Sequence, residues 1–159
     1  MSPLFEIAEL LRIGVEDETS GVAFYAMLAG KTKNPAMKKI YEGLAEQERY
    51  HKKRFEKMLE ELGEYEAPES YSGEYIAYLR AMLDSRAFKD PETAKKLAAE
   101  TIDDKEAIKM AIRFERDTLG LMNELREMVP VKDRDVVDDL AREEQAHLVE
   151  LARALESLI

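Results

Sequence analysis

Glu48-Arg49-Tyr50-His51 and Glu144-Gln145-Ala146-His147 decide how this 159-residue chain is read, and they contain its only two histidines. In each stretch a histidine follows a glutamate by three residues. On an α-helix, residues three apart lie on one face, one turn above another. Each stretch can therefore aim a carboxylate and an imidazole at a single point, provided that it is helical and that this face turns inward.

The punctuation predicts four long helices. Ser2-Pro3 offers an N-cap with proline at the first helical position, and Gly30 a C-terminal cap, which places the first helix near 3–29. Asn34-Pro35 repeats the start signal, and Gly63 ends the second helix. Residues 64–72 read as a loop, Ser72 as the cap of a short helix across 73–83, and Asp90-Pro91 as the start of another. A third long helix is expected from about Asp103 to Met128, stopped ahead of Pro130. Asp133 is expected to cap a fourth that continues almost to the end.

Apolar residues recur at helical spacing in each segment: Leu4, Ile7, Leu11, Val15, Val22 and Tyr25; Met37, Ile40, Leu44, Phe55, Met58 and Leu62; Ile108, Ile112, Leu119, Met122 and Leu125; Val137, Leu140, Leu151, Ala154 and Leu158. Steps of three and four define one inward stripe per helix. Every stripe is interrupted near its middle, at Glu18, at Glu48 and His51, at Glu115, and at Glu144 and His147. These residues keep the rhythm of the stripes, so they point into the core. Ionised glutamate is almost never buried there without a partner.

Antiparallel pairing brings the interruptions level. Glu18 faces the 48–51 region if the first hairpin turns near residue 34, and Glu115 faces 144–147 if the second turns near 130; Asn34-Pro35 and Pro130 stand at those places. The halves repeat at a separation of 97 residues (Glu18 to Glu115) and 96 (Glu48 to Glu144), as a duplicated helical hairpin would. The expected fold is all-α: one domain over 1–159, with hairpins at about 1–63 and 103–159. A long crossover at about 64–102, containing short helices, joins them. Four carboxylates and two imidazoles in one layer suit a dinuclear site in a four-helix bundle. Their four negative charges match two divalent ions. Oxygen-only cages favour calcium or magnesium, so the imidazoles shift the choice toward iron or manganese. The bland alternative is a bundle with coincidental polar core positions, and the cost of burying unpaired charge weighs against it.

The chain resembles the ferritin-like superfamily and, within it, the rubrerythrin-type di-iron proteins. The resemblance is carried by Glu18-Thr19-Ser20-Gly21-Val22-Ala23-Phe24-Tyr25, which is similar to the family's Glu-x-x-Gly-x-x-Phe-Tyr, and by Leu44-Ala45-Glu46-Gln47-Glu48-Arg49-Tyr50-His51. Ala111-Ile112-Arg113-Phe114-Glu115 and Leu140-Ala141-Arg142-Glu143-Glu144-Gln145-Ala146-His147 continue it, so that it spans nearly the whole chain. It implies that Glu18 and His51 are terminal ligands of one iron ion, Glu115 and His147 of the other, and that Glu48 and Glu144 bridge the two. It implies a homodimer, and oxygen or peroxide as reactant. The chain departs from the family pattern twice. Typical rubrerythrins carry a rubredoxin domain with four cysteines, whereas this chain has no cysteine, so an external electron-transfer protein is expected. They also carry a further helix-three glutamate one turn from the terminal ligand. Here the neighbouring stripe positions are Ile112 and Thr118, which weakens the case for efficient peroxide reduction.

Composition removes other classes. The lack of cysteine excludes disulfides, thiolate metal sites and cysteine nucleophiles. A net charge of -10 argues against a nucleic-acid partner. The longest uncharged run, Thr19 to Gly30, is shorter than the ~20 residues a membrane span needs. The first residues lack a basic segment followed by an apolar one, so a cytoplasmic location is expected. The expected function is a di-iron redox protein that oxidises ferrous iron or reduces oxygen or peroxide. The alternatives are a ferroxidase that stores iron, a di-iron oxygenase acting on an organic substrate, and a non-catalytic helical interaction module.

The residues around the six ligands have plainer readings. Tyr25, two turns or about 10 Å from Glu18, reads as a core tyrosine with a bonded hydroxyl rather than a redox participant, and Tyr41 likewise. Lys52, Lys53 and Arg54 read as a solvated face paired with Glu56, Glu60 and Glu61. Tyr71, Tyr75 and Tyr78 are expected to pack the crossover onto the bundle. Glu16, Asp17, Glu46, Asp117 and Glu143 lie off the stripe, as surface residues or supports for the ligands.

Overall fold

The computed structural model describes residues 7–63 and 73–159. Among them the chain forms α1 (Ile7–Lys31), α2 (Pro35–Leu62), α3 (Gly73–Asp84), α4 (Pro91–Glu100), α5 (Asp104–Met128) and α6 (Arg134–Ser157), with a 3-10 turn at Val131–Asp133. The expected Ser2-Pro3 cap, Leu4, the 64–72 loop with Tyr71, and the Ser72 cap lie outside the described residues.

The local chemistry that starts and stops these helices is mostly the expected one. The Asn34 side chain accepts from the N–H groups of Ala36 and Met37, with Pro35 at the first helical position. Asp90 accepts from Thr93 and Asp103 from Glu106. Gly63 ends α2 at φ +60, the left-handed region that glycine enters without steric cost. Two expectations are corrected. Gly30 lies inside α1, which continues to Lys31. The Lys31 ammonium donates to the carbonyls of Ala99, at 2.8 Å, and Thr101. A cation placed there satisfies the orphaned carbonyls at the C-terminal end of α4. Asp133 does precede α6, but its backbone is already helical and its side chain makes no capping bond. The 3-10 turn feeds the helix instead, with the Asp133 N–H donating to Pro130 O at 2.8 Å.

α1 packs along α2 and α5 along α6. Contacts of α1 with α5 and of α2 with α6 close the ring, and α4 lies against α1. The core has two apolar halves. One contains Leu10 and Leu11 of α1, Phe55 and Met58 of α2, Leu121 and Leu125 of α5, and Val137 and Leu140 of α6. The other contains Phe24 and Leu28, Met37 and Leu44, Ile108 and Ala111, and Leu151 and Ala154 of the same four helices. The start of α1 thus meets the end of α2, the end of α5 and the start of α6. Helices α1 and α6 run one way, and α2 and α5 the other. The crossover must travel the length of the bundle, and on its way α3 covers the first half with Ile76, Leu79 and Leu83. Phe88 and α4 cover the second half. Tyr75 and Tyr78 both donate to Glu124 of α5, the expected tether between crossover and bundle.

The inward stripes are displaced slightly from their expected positions. Val15, Val22, Ile40, Ile112, Leu119 and Leu158 are only half-buried flank residues, while Leu10, Phe24, Tyr41, Ala111, Phe114 and Leu121 take interior places. Small residues explain part of this. A Cβ at Gly14 would stand 2.9 Å from the Phe55 ring, so α1 and α2 approach to a distance at which glycine alone fits. Arg54 turns back onto the Tyr50 ring and hydroxyl rather than forward to the acids after it.

Candidate metal centre

Between the two apolar halves lies one polar layer. Glu18 of α1, Glu48 and His51 of α2, Glu115 of α5, and Glu144 and His147 of α6 all lie in it, none more than 1% exposed. The three-residue spacing works as helix geometry requires: each Glu-x-x-His pair sends both side chains inward. The ligand-capable atoms form two overlapping quartets, Glu18, Glu48, His51 and Glu144, and Glu48, Glu115, Glu144 and His147. Within each quartet these atoms lie within 4.8 Å of one another. Glu48 and Glu144 belong to both.

The histidines present Nδ1 to the carboxylates. His51 Nδ1 stands 2.8 Å from Glu144 Oε1 and 3.7 Å from Glu18 Oε2. His147 Nδ1 stands 2.9 Å from Glu144 Oε2, 3.5 Å from Glu48 Oε1 and 3.6 Å from Glu115 Oε1. Glu144 thus offers one oxygen to each imidazole. The two rings stack at 5.4 Å between centroids. Each Nε2 points outward to a hydrogen-bond acceptor from the opposite hairpin, Glu143 Oε2 at 2.6 Å for His51 and Gln47 Oε1 for His147. An outer acceptor of this kind fixes the tautomer that leaves Nδ1 free to ligate. The Tyr25 hydroxyl donates to Glu115 Oε1 at 2.5 Å, so Tyr25 is a buried tyrosine with a bonded hydroxyl, as expected, and its partner is one of the six. Tyr41 bonds Asp104 instead, at 2.9 Å.

The donor set fits two cations on a direct test. Among the described residues nine buried side-chain atoms lack a hydrogen-bond partner, and seven belong to this layer: both oxygens of Glu18 and of Glu48, one oxygen each of Glu115 and Glu144, and Nδ1 of His51. That Nδ1 is close to Glu144 yet lacks hydrogen-bond geometry toward it. Buried polar atoms are otherwise almost always paired. Charge gives the same answer. Burial, followed by the crowding of carboxylates, pushes Glu18 and Glu48 well above the usual carboxylate range and Glu115 up to about 8. Burial would push the imidazoles down, but hydrogen bonds and charge from the acids outweigh it, raising His51 to about 9 and His147 to about 10. Glu144 is opposed by burial but is held below the usual range by its close approach to Glu115 and to both histidines. Without cations the layer therefore favours bound protons.

Residues beside the six complete its walls. A Cβ at Gly21 would lie 3.1 Å from Glu48 Oε2 and 2.9 Å from the Phe114 ring, so this glycine makes room for the Glu48 carboxylate. Asp17 is buried, which corrects its off-stripe assignment. It pairs with Arg86 of the α3–α4 connection at 2.5 Å, and burial still raises it to about 7. Asp117 accepts from the Ala87 N–H at 2.7 Å. Acids flanking Glu18 and Glu115 thereby pin the crossover over the site, with Phe88 packed between Phe24 and Phe114. Glu46 pairs with Arg49 on the exposed surface, and Glu16 is exposed. Thr118, one of the stripe positions neighbouring Glu115, is buried with its hydroxyl on Phe114 O at 3.2 Å. Gln47 carried no signal in the stripe pattern. The sign of its role is the residue 96 places on, Glu143, which holds the other histidine.

Three comparisons bear on this arrangement. A family model described as Rubrerythrin matches residues 9–155. The crystal structure of a candidate ferritin-like diiron-carboxylate protein from Thermotoga maritima, at 2.30 Å resolution, superposes with a TM-score of 0.76 at 25% identity, with 100% of each chain covered. No curated protein matches the chain.

Proposed function

Because the chain belongs to the rubrerythrin family, we propose that it is a di-iron redox protein, which oxidises ferrous iron or reduces peroxide or oxygen with electrons from an external donor. Glu18 and His51 would hold one ion and Glu115 and His147 the other, with Glu48 and Glu144 bridging. The observation that carries this reading is the sharing of Glu48 and Glu144 by both quartets, together with the seven orphaned buried atoms. A pair of iron ions held by these residues would supply a two-electron change without releasing a one-electron product.

The protein's own residues set the conditions for that change. The four carboxylates balance the charge of two divalent ions, and the imidazoles favour iron, with manganese as the alternative. The apolar halves above and below exclude bulk water and strengthen every charge interaction in the layer. Tyr25 holds Glu115 by one oxygen and leaves the other free. Glu143 and Gln47 orient the histidines. No residue of these 159 is a cysteine, so a thiolate relay must lie outside them, and an external electron carrier is the proposed donor. The working unit is proposed to be a homodimer in the cytoplasm.

Metal analysis and stopped-flow oxidation test this. Two iron ions per chain are expected, with the reduced centre oxidised by peroxide or by oxygen and with both properties lost in Glu48→Gln. Protein that retains no metal after reconstitution with iron(II) or manganese(II) would sink the proposal. Light scattering separates a dimer from the hollow cage that iron storage requires.

A further inference from the structure

The two hairpins repeat the ligands but not the groups that touch them. The ligand set matches at a separation of 97 residues between α1 and α5 and of 96 between α2 and α6. At two positions whose side chains hydrogen-bond these ligands the repeat is broken. Gln47, which accepts from His147 Nε2, corresponds to Glu143, which accepts from His51 Nε2. Tyr25, which donates to Glu115, corresponds to Met122, which has no proton to give. Met122 is fully buried in the apolar half, and both oxygens of Glu18 lack any donor.

Both breaks act in the same direction. His51 is backed by a carboxylate, which draws on its Nε2 proton and makes Nδ1 a stronger electron donor. His147 is backed by a neutral amide. Glu115 shares its charge with a phenol hydroxyl, whereas Glu18 keeps all of its own. Resting on the dinuclear reading above, we propose that the two metal positions are intrinsically unequal. The Glu18/His51 position binds a divalent ion more tightly than the Glu115/His147 position, and Glu143, Gln47 and Tyr25 are the positioning residues that set the difference.

Outer partners of ligating histidines are worth roughly 10–100-fold in metal affinity, so the two dissociation constants should be separated by about that factor. The test uses the full chain, freed of metal by chelation and titrated with cobalt(II) alone. Calorimetry counts and ranks the steps. Proton NMR follows the hyperfine-shifted imidazole N–H of each histidine. The expected result is two steps, with one shifted N–H at the first equivalent and the second only after another equivalent. Glu143→Gln keeps shape and hydrogen bond but removes charge. It should weaken the tighter step and move the N–H signal that appears first. Gln47→Glu should strengthen the weaker step, and Tyr25→Phe should strengthen it independently. Two equal steps in the unaltered protein, or a Glu143→Gln effect on the later signal, would overturn the asymmetry while leaving the dinuclear centre intact. Binding of fewer than two ions would remove both.

Discussion

Stripping the metal should leave a protein whose stability falls as the solution becomes alkaline. In the metal-free layer protons stand in for cations: Glu115 is raised from 4.5 to about 8, His51 from 6.5 to about 9, and His147 from 6.5 to about 10. The unfolded chain releases these protons at the ordinary values. The stability they contribute is fully present below 4.5 for Glu115 and below 6.5 for the histidines. It is lost as pH rises through the folded-state values of about 8, 9 and 10. Glu144 has the opposite sign. Its folded-state value is depressed, so its contribution persists above 4.5 and is lost only in strong acid, outside this window. Each proton held by the folded state and not by the unfolded one gives a slope of about 1.4 kcal/mol per pH unit. Between pH 7 and pH 9 this amounts to about 1.4 kcal/mol for Glu115 and about 2–2.5 kcal/mol for each histidine, a large fraction of the roughly 5–15 kcal/mol of a typical domain. With metal bound the ligands are already deprotonated in the folded state, so the fall should vanish or reverse. Urea unfolding followed by circular dichroism at pH 7, 8 and 9, with chelator and with added manganese(II), measures both slopes. A metal-free protein whose stability is level or rising from pH 7 to 9 would refute the reasoning.

Other substitutions probe the walls of the layer. Gly21→Ala should gain up to about 1 kcal/mol of helix propensity but force a methyl group against Phe114 and Glu48. The net effect is a loss of order 1 kcal/mol without metal and a larger loss in the manganese-loaded protein, read as a smaller rise in melting temperature on loading. Glu48→Gln removes one crowded charge, so the metal-free protein should become more stable at pH 8–9 by denaturant titration while binding of a second ion disappears. Arg86→Met strips Asp17 of its partner. The cost should approach roughly 3–5 kcal/mol at pH 8 and shrink at pH 6, because Asp17, already raised to about 7, takes up a proton there; equal losses at both pH values would argue against a buried pair.

The Glu/His layer was readable because helix geometry converts spacing directly into direction. Glu-x-x-His needs no information from the rest of the chain to place two side chains on one face, and Asn34-Pro35, Asp90-Pro91 and Asp103 carry their start signals within four residues. What was not readable depends on partners far away in sequence. Asp17 is an acid off the apolar rhythm until Arg86 arrives from the crossover, 69 residues on. Lys31 extends α1 past Gly30 because the end of α4 offers it carbonyls. Gln47 is an ordinary polar residue on an exposed face until α6 brings His147 against it. The half-buried Val15 and Ile112 were misplaced for a different reason. Glycine at 14 and the large ring at Phe114 rotate the inward face slightly, and a pattern that counts only apolar residues cannot weigh a missing side chain.

The split core carries a consequence for ancestry. Each hairpin supplies one outer glutamate, one shared glutamate and one histidine, so neither hairpin alone completes a quartet. A primitive single hairpin could have formed this layer only by pairing with an identical copy, and such a pair is bound by symmetry to two identical positions. Two hairpins joined in one chain by a crossover are free of that constraint. In the single chain position 47 is an amide where 143 is an acid, and 122 is methionine where 25 is tyrosine. The crossover therefore does more than cover the bundle: it frees the two halves of one chain from having to be identical.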